Sequence, residues 1–329
     1  MRIGQNPVKT IQLQAPQPKE VTIVVVNFIP YLSGYYEQSL EVLRLCLESI
    51  WNNTNLPFDL MVFDNASCPE VRSYLREQAE KNKIQYLILS DKNMGIPGAW
   101  NFTFQAAPGK YIAYADNDIY FHPGWLEEHL RVLETYPNVG MVTGIPLRSP
   151  LEFSTSTLEW GHKDPQVTTS QGALQDWDIF WTHAKSLGLS VTRAQRVYRQ
   201  SEDFKFEYLG VETYLGAGHF QFVSPKEALK SILPLPEQKV MGDERNLDKE
   251  IDAHGFLRLC LPKMYVQHMG NLLPENLTMP QTRKQGSRTK PAISPRALFY
   301  KILDIYVLKR FFLFVHGQIF HLYFNRPQE

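Results

Sequence analysis

The sequence contains little cysteine and has no excess charge of either sign. Its three cysteines, Cys46, Cys68 and Cys260, lie far apart and lack metal-site spacing, so buried free thiols are expected rather than a zinc site or a disulfide framework. Lysine plus arginine number 34, as do aspartate plus glutamate. Because no long basic run is present either, no nucleic-acid partner is expected.

Long hydrophobic runs are also absent. No apolar run reaches the roughly 18 residues that a membrane-spanning helix needs, and the first 20 residues are polar, rich in Gln and Pro, and unlike a signal peptide. We therefore expect a cytoplasmic protein. Peripheral contact with the inner face of the membrane stays open because of the C-terminal segment described below.

Apolar residues alternate along the chain between strand-like and helix-like spacing. Strands are predicted at 21–26, 58–63, 84–89, 110–115 and 139–144, and helices at 38–51, 69–82, 98–107 and 124–136. Strands alternating with helices predict an α/β fold with a mostly parallel central sheet and helices on both faces.

The regular alternation of strand-like and helix-like spacing ends at about residue 146. The stretch 150–205 is rich in Trp, His, Ser and Thr without clear strands; strands return at 219–224 and 257–261, and a helix is predicted at 244–254. A polar linker then leads to an aromatic, basic segment at 297–323, predicted to form a helical appendage. The expected organisation is a flexible lead-in (1–20), one catalytic domain (21–270, with halves 21–145 and 146–270), and the linker with its appendage (271–329).

Acidic residues follow two of the predicted strands. Asp64 ends the second strand, and Asp116 and Asp118 end the fourth. Because ligands bind beyond the carboxyl ends of parallel strands, these acids should line one crevice. Carboxylates two residues apart supply hard oxygen ligands that suit Mg²⁺ or Mn²⁺. The alternative is a turn in which Asp and Asn bond their own backbone.

The residues around these acids resemble the family-two glycosyltransferases of GT-A fold. The matching motifs occur in the family's order: Asp64-Asn65-Ala66-Ser67, Asn93-Met94-Gly95, Gly98-Ala99-Trp100-Asn101, Asp116-Asn117-Asp118, Asp243-Glu244 followed by Gly255, and "YVQHMG" at 265–270. The resemblance covers about residues 21–270. It implies a GT-A-like fold and inverting transfer of a hexose or deoxyhexose from a nucleotide diphosphate sugar to a glycan or lipid-linked acceptor.

The resemblance also implies roles for individual residues. Asp116, Asp118 and His268 would hold Mn²⁺ or Mg²⁺, and Asp64 would accept a hydrogen bond from the base of a UDP-, dTDP- or GDP-linked donor. The remaining donor contacts would come from Asn27, Asn93, Gly95, Asn101, Asp116 and Asn117. Glu244 is the expected catalytic base, with Asp243 second.

The sequence departs from the family pattern at several positions. Val26-Asn27-Phe28-Ile29 stands where Pro-Thr-Tyr-Asn is usual, Trp100 replaces a common Arg, and the late acidic pair is Asp-Glu rather than Glu-Asp. These departures bear on base and sugar contacts and on which acid is catalytic.

Other assignments stay open. Trp160 and Trp181 could stack on an acceptor sugar or be core aromatics. Segment 297–323 could meet a membrane surface, a second subunit or the catalytic domain. The alternatives to a glycosyltransferase are a non-catalytic carbohydrate-binding or membrane-associated protein on the same fold and, disfavoured by the missing Gly-rich basic loop, a sugar-nucleotide nucleotidyltransferase.

Overall fold

The structure is a computed structural model that describes residues 4, 15, 17–236, 244–274 and 277. The predicted appendage, the aromatic segment 297–323 and most of the lead-in lie outside these residues. Among the described residues, no helix is both long and apolar enough to cross a membrane.

Strands and helices alternate through the first half of the chain, as predicted. The strands are β1 (Val21–Asn27), β2 (Phe58–Asn65), β3 (Tyr86–Ser90), β4 (Tyr111–Asp116), β5 (Ile119–Phe121) and β6 (Val139–Thr143). The helices are α1 (Ser39–Asn53), α2 (Pro69–Glu80), α3 (Gly95–Ala106) and α4 (Trp125–Thr135).

The second half contains more regular structure than the sequence pattern predicts. Its strands are β7 (Val167–Gly172), β8 (Asp203–Tyr208), β9 (Val211–Leu215), β10 (Gln221–Pro225), β11 (Leu257–Cys260) and β12 (Val266–His268). Its helices are α5 (Thr155–Lys163), α6 (Trp177–Ser186), α7 (Val191–Gln200), α8 (Lys226–Ser231) and α9 (Arg245–Ala253).

Within the described residues, ten strands form one sheet in the order β3-β2-β1-β4-β10-β6-β11-β9-β8-β7. Strands β3, β2, β1 and β4 are parallel, β10 is antiparallel to its neighbours β4 and β6, and β7, β8 and β9 form an antiparallel meander. Following these pairings, only β10, β9 and β7 run against the common direction. The predicted α/β class and mostly parallel sheet are confirmed.

Helices cover both faces of the sheet, which explains why β1 is buried along its whole length. On one face, α1, α2 and α4 contribute Leu43, Val71 and Trp125 to the core. On the other, α3 contributes Trp100 and α9 contributes Ile251. The helix predicted at 98–107 begins earlier, at Gly95, because Pro97 fits the first turn of a helix.

The register of the parallel strands positions the functional residues. Asn27 at the end of β1 pairs with Asp64 on β2, and Val26 pairs with Asp116 on β4. The polar residues that end these strands therefore meet at one edge of the sheet. A separate two-stranded sheet pairs β12 with β5 and sets His268 beside Ile119.

Candidate active site

A cavity of about 330 Å³ lies at the carboxyl ends of the parallel strands. Its walls combine apolar side chains such as Trp100 with a group of polar ones. The polar and charged residues among those that line it include Asn65, Asn93, Asp116, Asn117, Asp118, His219 and Glu244. A cavity of this size with a few convergent polar groups is typical of a small-molecule site.

The turn between β4 and β5 brings Asp118 to His268. Because β12 pairs with β5, His268 Nε2 lies 3.3 Å from Asp118 Oδ2, and the Met269 amide donates to the Asp118 carbonyl over 2.8 Å. His268 Nδ1 lies 2.9 Å from Ser186 Oγ at the end of α6. Ser186 thus orients the imidazole so that Nε2 faces the carboxylate.

Burial makes the ionised forms of Asp116 and Asp118 unfavourable. Burial raises the pKa of Asp116, and the nearby charge of Asp118 raises it further, although the Tyr114 hydroxyl donates to Asp116 Oδ1 over 2.6 Å. Burial also raises the pKa of Asp118. Burial lowers the pKa of His268 and so favours the neutral imidazole. A cation at this point would stabilise both carboxylates.

The Asp118 carboxylate and the His268 imidazole are suitable ligands for a divalent cation. The described residues contain no group of three or more His, Cys, Asp or Glu side chains that could enclose a metal ion. Asp118 Oδ1 is buried and has no hydrogen-bond partner among the described residues, and neutral His268 lies next to the same carboxylate. Mg²⁺ commonly takes one or two carboxylates and completes its shell with water and phosphate oxygens. Asp118 and His268 therefore fit such an ion as a partial site.

Asp64 lies beneath the cavity rather than in its wall. Its side chain is fully buried and accepts hydrogen bonds from Asn27 Nδ2 (2.9 Å), Arg72 Nε (3.0 Å) and the Ser67 amide (3.2 Å). This placement supports an anchoring role between β1, β2 and α2. Recognition of a base by Asp64 stays a prediction that needs these contacts to rearrange.

Asn27 connects Asp64 to the acidic turn. Its Nδ2 also donates to Ser67 Oγ (2.8 Å), while its Oδ1 accepts from Asn117 Nδ2 (2.6 Å). Asn27 is fully buried. Asn27 is therefore connected to the cavity through Asn117, which lines it, and a contact of Asn27 with the sugar nucleotide stays a prediction.

Asn65 and Asn93 lie together in the cavity wall. Asn65 Nδ2 donates to Asn93 Oδ1 (3.0 Å) and to the Gly95 carbonyl (3.2 Å). Gly95 has a φ of 72°, which favours glycine and starts α3 close to the cavity. Asn101 lies elsewhere: it exchanges hydrogen bonds of 2.9 and 2.8 Å with the backbone of Leu235 and is not among the cavity-lining residues.

Glu244 lines the cavity just before α9. Asp243, its predicted partner, lies outside the described residues. Neither predicted acceptor tryptophan lines the cavity in the described part of the chain. Trp160 packs among Tyr136, Phe206 and Tyr208, so the core-aromatic alternative accounts for it, and Trp181 stacks on Trp177 with ring centroids 6.1 Å apart.

Sequence reasoning overlooked His219, which lines the cavity directly before β10. Its Nδ1 lies 3.0 Å from Asp248 Oδ2, and Asp248 Oδ1 accepts from Arg258 Nη2 over 2.6 Å. Because β10 runs antiparallel to β4, the residues that precede β10 lie at the edge where β4 ends. The available signal was a histidine at the start of the strand predicted at 219–224.

Comparisons with known proteins find similarity to glycosyltransferases. Residues 35–188 match the model of the family described as glycosyl transferase family 2. An uncharacterized glycosyltransferase of Methanocaldococcus jannaschii is 28% identical over 108 residues, 32% of this chain and 37% of that protein. One from Rickettsia bellii is 31% identical over 88 residues, 27% of this chain and 12% of that protein. The matches thus span 37% or less of these curated relatives.

Two solved structures are also similar. S. aureus TarS 1-349 has a TM-score of 0.44 at 13% identity, covering 75% of this chain and 59% of that one. The mannosyltransferase PcManGT from Pyrobaculum calidifontis, solved with GDP-Man and Mn²⁺, has a TM-score of 0.42 at 16% identity, covering 75% and 56%. The match to the model of glycosyl transferase family 2 covers residues 35–188, just under half of the chain, and this segment is therefore similar to that family.

Proposed function

We propose that this protein is a metal-dependent, inverting glycosyltransferase that moves a hexose or deoxyhexose from a nucleotide diphosphate sugar to a glycan or lipid-linked acceptor. One observation carries the proposal: Asp118 and His268, from distant parts of the chain, meet beside the cavity that Glu244 also lines. A partial cation site beside the cavity and a further carboxylate, Glu244, in its wall are the parts that such a transfer requires.

In this proposal the donor lies on the first half of the domain. Asp118 and His268 would hold Mn²⁺ or Mg²⁺, and the ion would supply positive charge to balance the donor's diphosphate. Asn65, Asn93 and Asn117 offer amide groups to the nucleoside, in the part of the wall formed by β2, α3 and the acidic turn. The donor base is uracil, thymine or guanine.

Glu244 is the proposed base. The acceptor hydroxyl attacks the anomeric carbon from the face opposite the diphosphate, so a new oxygen–carbon bond forms as the bond to the diphosphate oxygen breaks. The hydroxyl proton passes to the Glu244 carboxylate, and the nucleoside diphosphate leaves with the bonding electrons. One base suffices, because no covalent glycosyl-enzyme forms in an inverting transfer.

The test is calorimetry with UDP, dTDP and GDP, each with and without Mn²⁺. We expect one nucleotide to bind wild-type protein more tightly with Mn²⁺, and Asp118→Asn to lose that Mn²⁺-dependent part. The matched control is Asp178→Asn, at an exposed position in the first turn of α6, which should behave as wild type. A wild type that binds none of the three, or an Asp118→Asn protein that keeps the Mn²⁺ effect, would overturn the proposal.

A further inference from the structure

His219 is one of three polar side chains connected in series, and it is the one at the cavity. His219 Nδ1 lies 3.0 Å from Asp248 Oδ2, and Asp248 Oδ1 accepts a hydrogen bond from Arg258 Nη2 over 2.6 Å. Asp248 is 5% exposed and Arg258 is fully buried, whereas one third of the His219 side chain is accessible. Of these three side chains, the His219 imidazole in the cavity wall is therefore the one that a ligand can contact.

The hydrogen bond to Asp248 determines which nitrogen of His219 is available. Because Nδ1 faces Asp248, Nε2 is the nitrogen left for a ligand, and no described residue makes a hydrogen bond to it. Arg258 also donates to the Phe153 and Ala217 carbonyls, which fixes the guanidinium and, through it, Asp248. A carboxylate often holds a histidine in one orientation where the second ring nitrogen binds a ligand or transfers a proton.

The charge of the cavity indicates what that nitrogen meets. Among the described residues, Asp116, Asp118 and Glu244 line the cavity, and no lysine or arginine does. Burial by itself would lower the pKa of His219, but the hydrogen bond and charge of Asp248, with the charges of Asp116 and Glu244, raise it above its ordinary value. Among the described residues that line the cavity, His219 is thus the side chain able to gain a positive charge beside an anionic ligand.

We propose that His219 binds the diphosphate of the sugar nucleotide through Nε2–H, and that Asp248 and Arg258 position it for this contact. The inference deepens the proposed function and rests on it. As the bond to the sugar breaks, negative charge grows on the departing diphosphate, so the hydrogen bond from His219 strengthens in the transition state. The Nε2–H group of His219 would then act on the diphosphate in addition to a cation held by Asp118 and His268.

The test compares His219→Asn with wild type. Asparagine keeps a donor near the Nδ1 position for Asp248 but has nothing at the position of Nε2. Calorimetry with Mn²⁺ uses the tightest of UDP, dTDP and GDP as probe, and ligand-observed NMR measures the matching nucleoside. We expect about a tenfold to hundredfold loss of diphosphate affinity, as for a hydrogen bond to a charged group, with nucleoside affinity unchanged.

Further variants separate contact from positioning. His219→Gln, with an amide near the Nε2 position, should recover part of the lost affinity, and Asp248→Asn should weaken diphosphate binding without changing nucleoside binding. His254→Asn is the control, an exposed histidine that follows α9. Wild-type diphosphate affinity in His219→Asn, or equal loss of diphosphate and nucleoside binding, would overturn the inference. Failure of the wild type to bind any nucleoside diphosphate would instead overturn the proposed function.

Discussion

The two halves of the domain build the same cavity by different means. Within residues 21–145, the parallel strands β1, β2 and β4 are almost wholly buried, and their ends deliver Asn65, Asp116 and Asp118 to one edge. Within the described part of residues 146–270, the outer strand β7 has no buried residue, and its neighbour β8 has only two, Asp203 and Phe206. This half contributes His219, Glu244 and His268, from the start of a strand, the start of a helix and a short separate sheet. Strand register positions the first set. The second set comes from separate elements: the pairing of β12 with β5 places His268, and the contact with Asp248 holds His219.

Each half also contains an ion pair beneath the cavity, and the two pairs differ in burial. Arg72 Nε lies 3.0 Å from Asp64 Oδ2, and 20% of the arginine side chain is exposed. Arg258 Nη2 lies 2.6 Å from Asp248 Oδ1, and 1% of that side chain is exposed. Water can reach the first pair but not the second. Loss of the second pair should therefore lower the stability of the fold more than loss of the first.

The largest expected effect is therefore that of Arg258→Met. The substitution leaves the buried Asp248 carboxylate without its arginine, which typically costs about 3–5 kcal/mol. Urea unfolding followed by circular dichroism would measure this loss. Lys163→Met, which removes an exposed pair with Glu159, is the control and should change stability by less than about 0.5 kcal/mol. If Arg258→Met lost no more free energy of unfolding than the control, the buried pair would not be more important to stability than an exposed one.

The second prediction concerns acid sensitivity where the halves meet. His129 on α4 is fully buried; its Nδ1 lies 2.6 Å from the Trp125 carbonyl and its Nε2 3.3 Å from Gln221 Nε2. Burial lowers its pKa to about 4. Between pH 6.5 and 4 the unfolded chain binds a proton that the folded protein does not, so stability falls as pH falls, by on the order of 3 kcal/mol.

The measurement is urea unfolding at pH 7 and pH 4.5 for wild type and His129→Gln. The variant should lose less stability than wild type on acidification. It should retain part of the loss, because burial lowers the pKa of His183 to about 3 as well. An equal loss in both proteins would show that His129 does not contribute to acid sensitivity.

The smallest predicted effect is that of Arg72→Met in the first half. Asp64 keeps the hydrogen bonds from Asn27 and Ser67, and water can reach the space that Arg72 leaves. We expect a loss of about 1.5–3 kcal/mol, that of a single hydrogen bond to a charged group. Unfolding in urea beside Arg258→Met would check it. If Arg72→Met proved as costly as Arg258→Met, burial would not be what distinguishes the two pairs.

The sequence pattern predicts the first half well because buried parallel strands are continuous apolar runs and because acids that end such strands are conspicuous. It does not predict β7, whose polar sequence VTTSQG is half-exposed, so apolar spacing gives no signal. The burial of Asp64 depends on Arg72, one helix later, and the orientation of His268 depends on Ser186. Such pairings between distant segments have no local pattern. The presence of His219 at the cavity follows from the direction of β10.

The central claim is that the cavity performs glycosyl transfer with Glu244 as base. The most direct measurement is release of nucleoside diphosphate from UDP-, dTDP- and GDP-linked hexoses with glycan and lipid-linked acceptors, for wild type, Glu244→Gln and Asp243→Asn. Our account predicts turnover by wild type and a kcat about 10²–10⁴ lower for Glu244→Gln, with donor affinity within a few-fold. Full kcat in Glu244→Gln together with its loss in Asp243→Asn would move the base to Asp243. Full kcat in both variants would contradict the proposed mechanism.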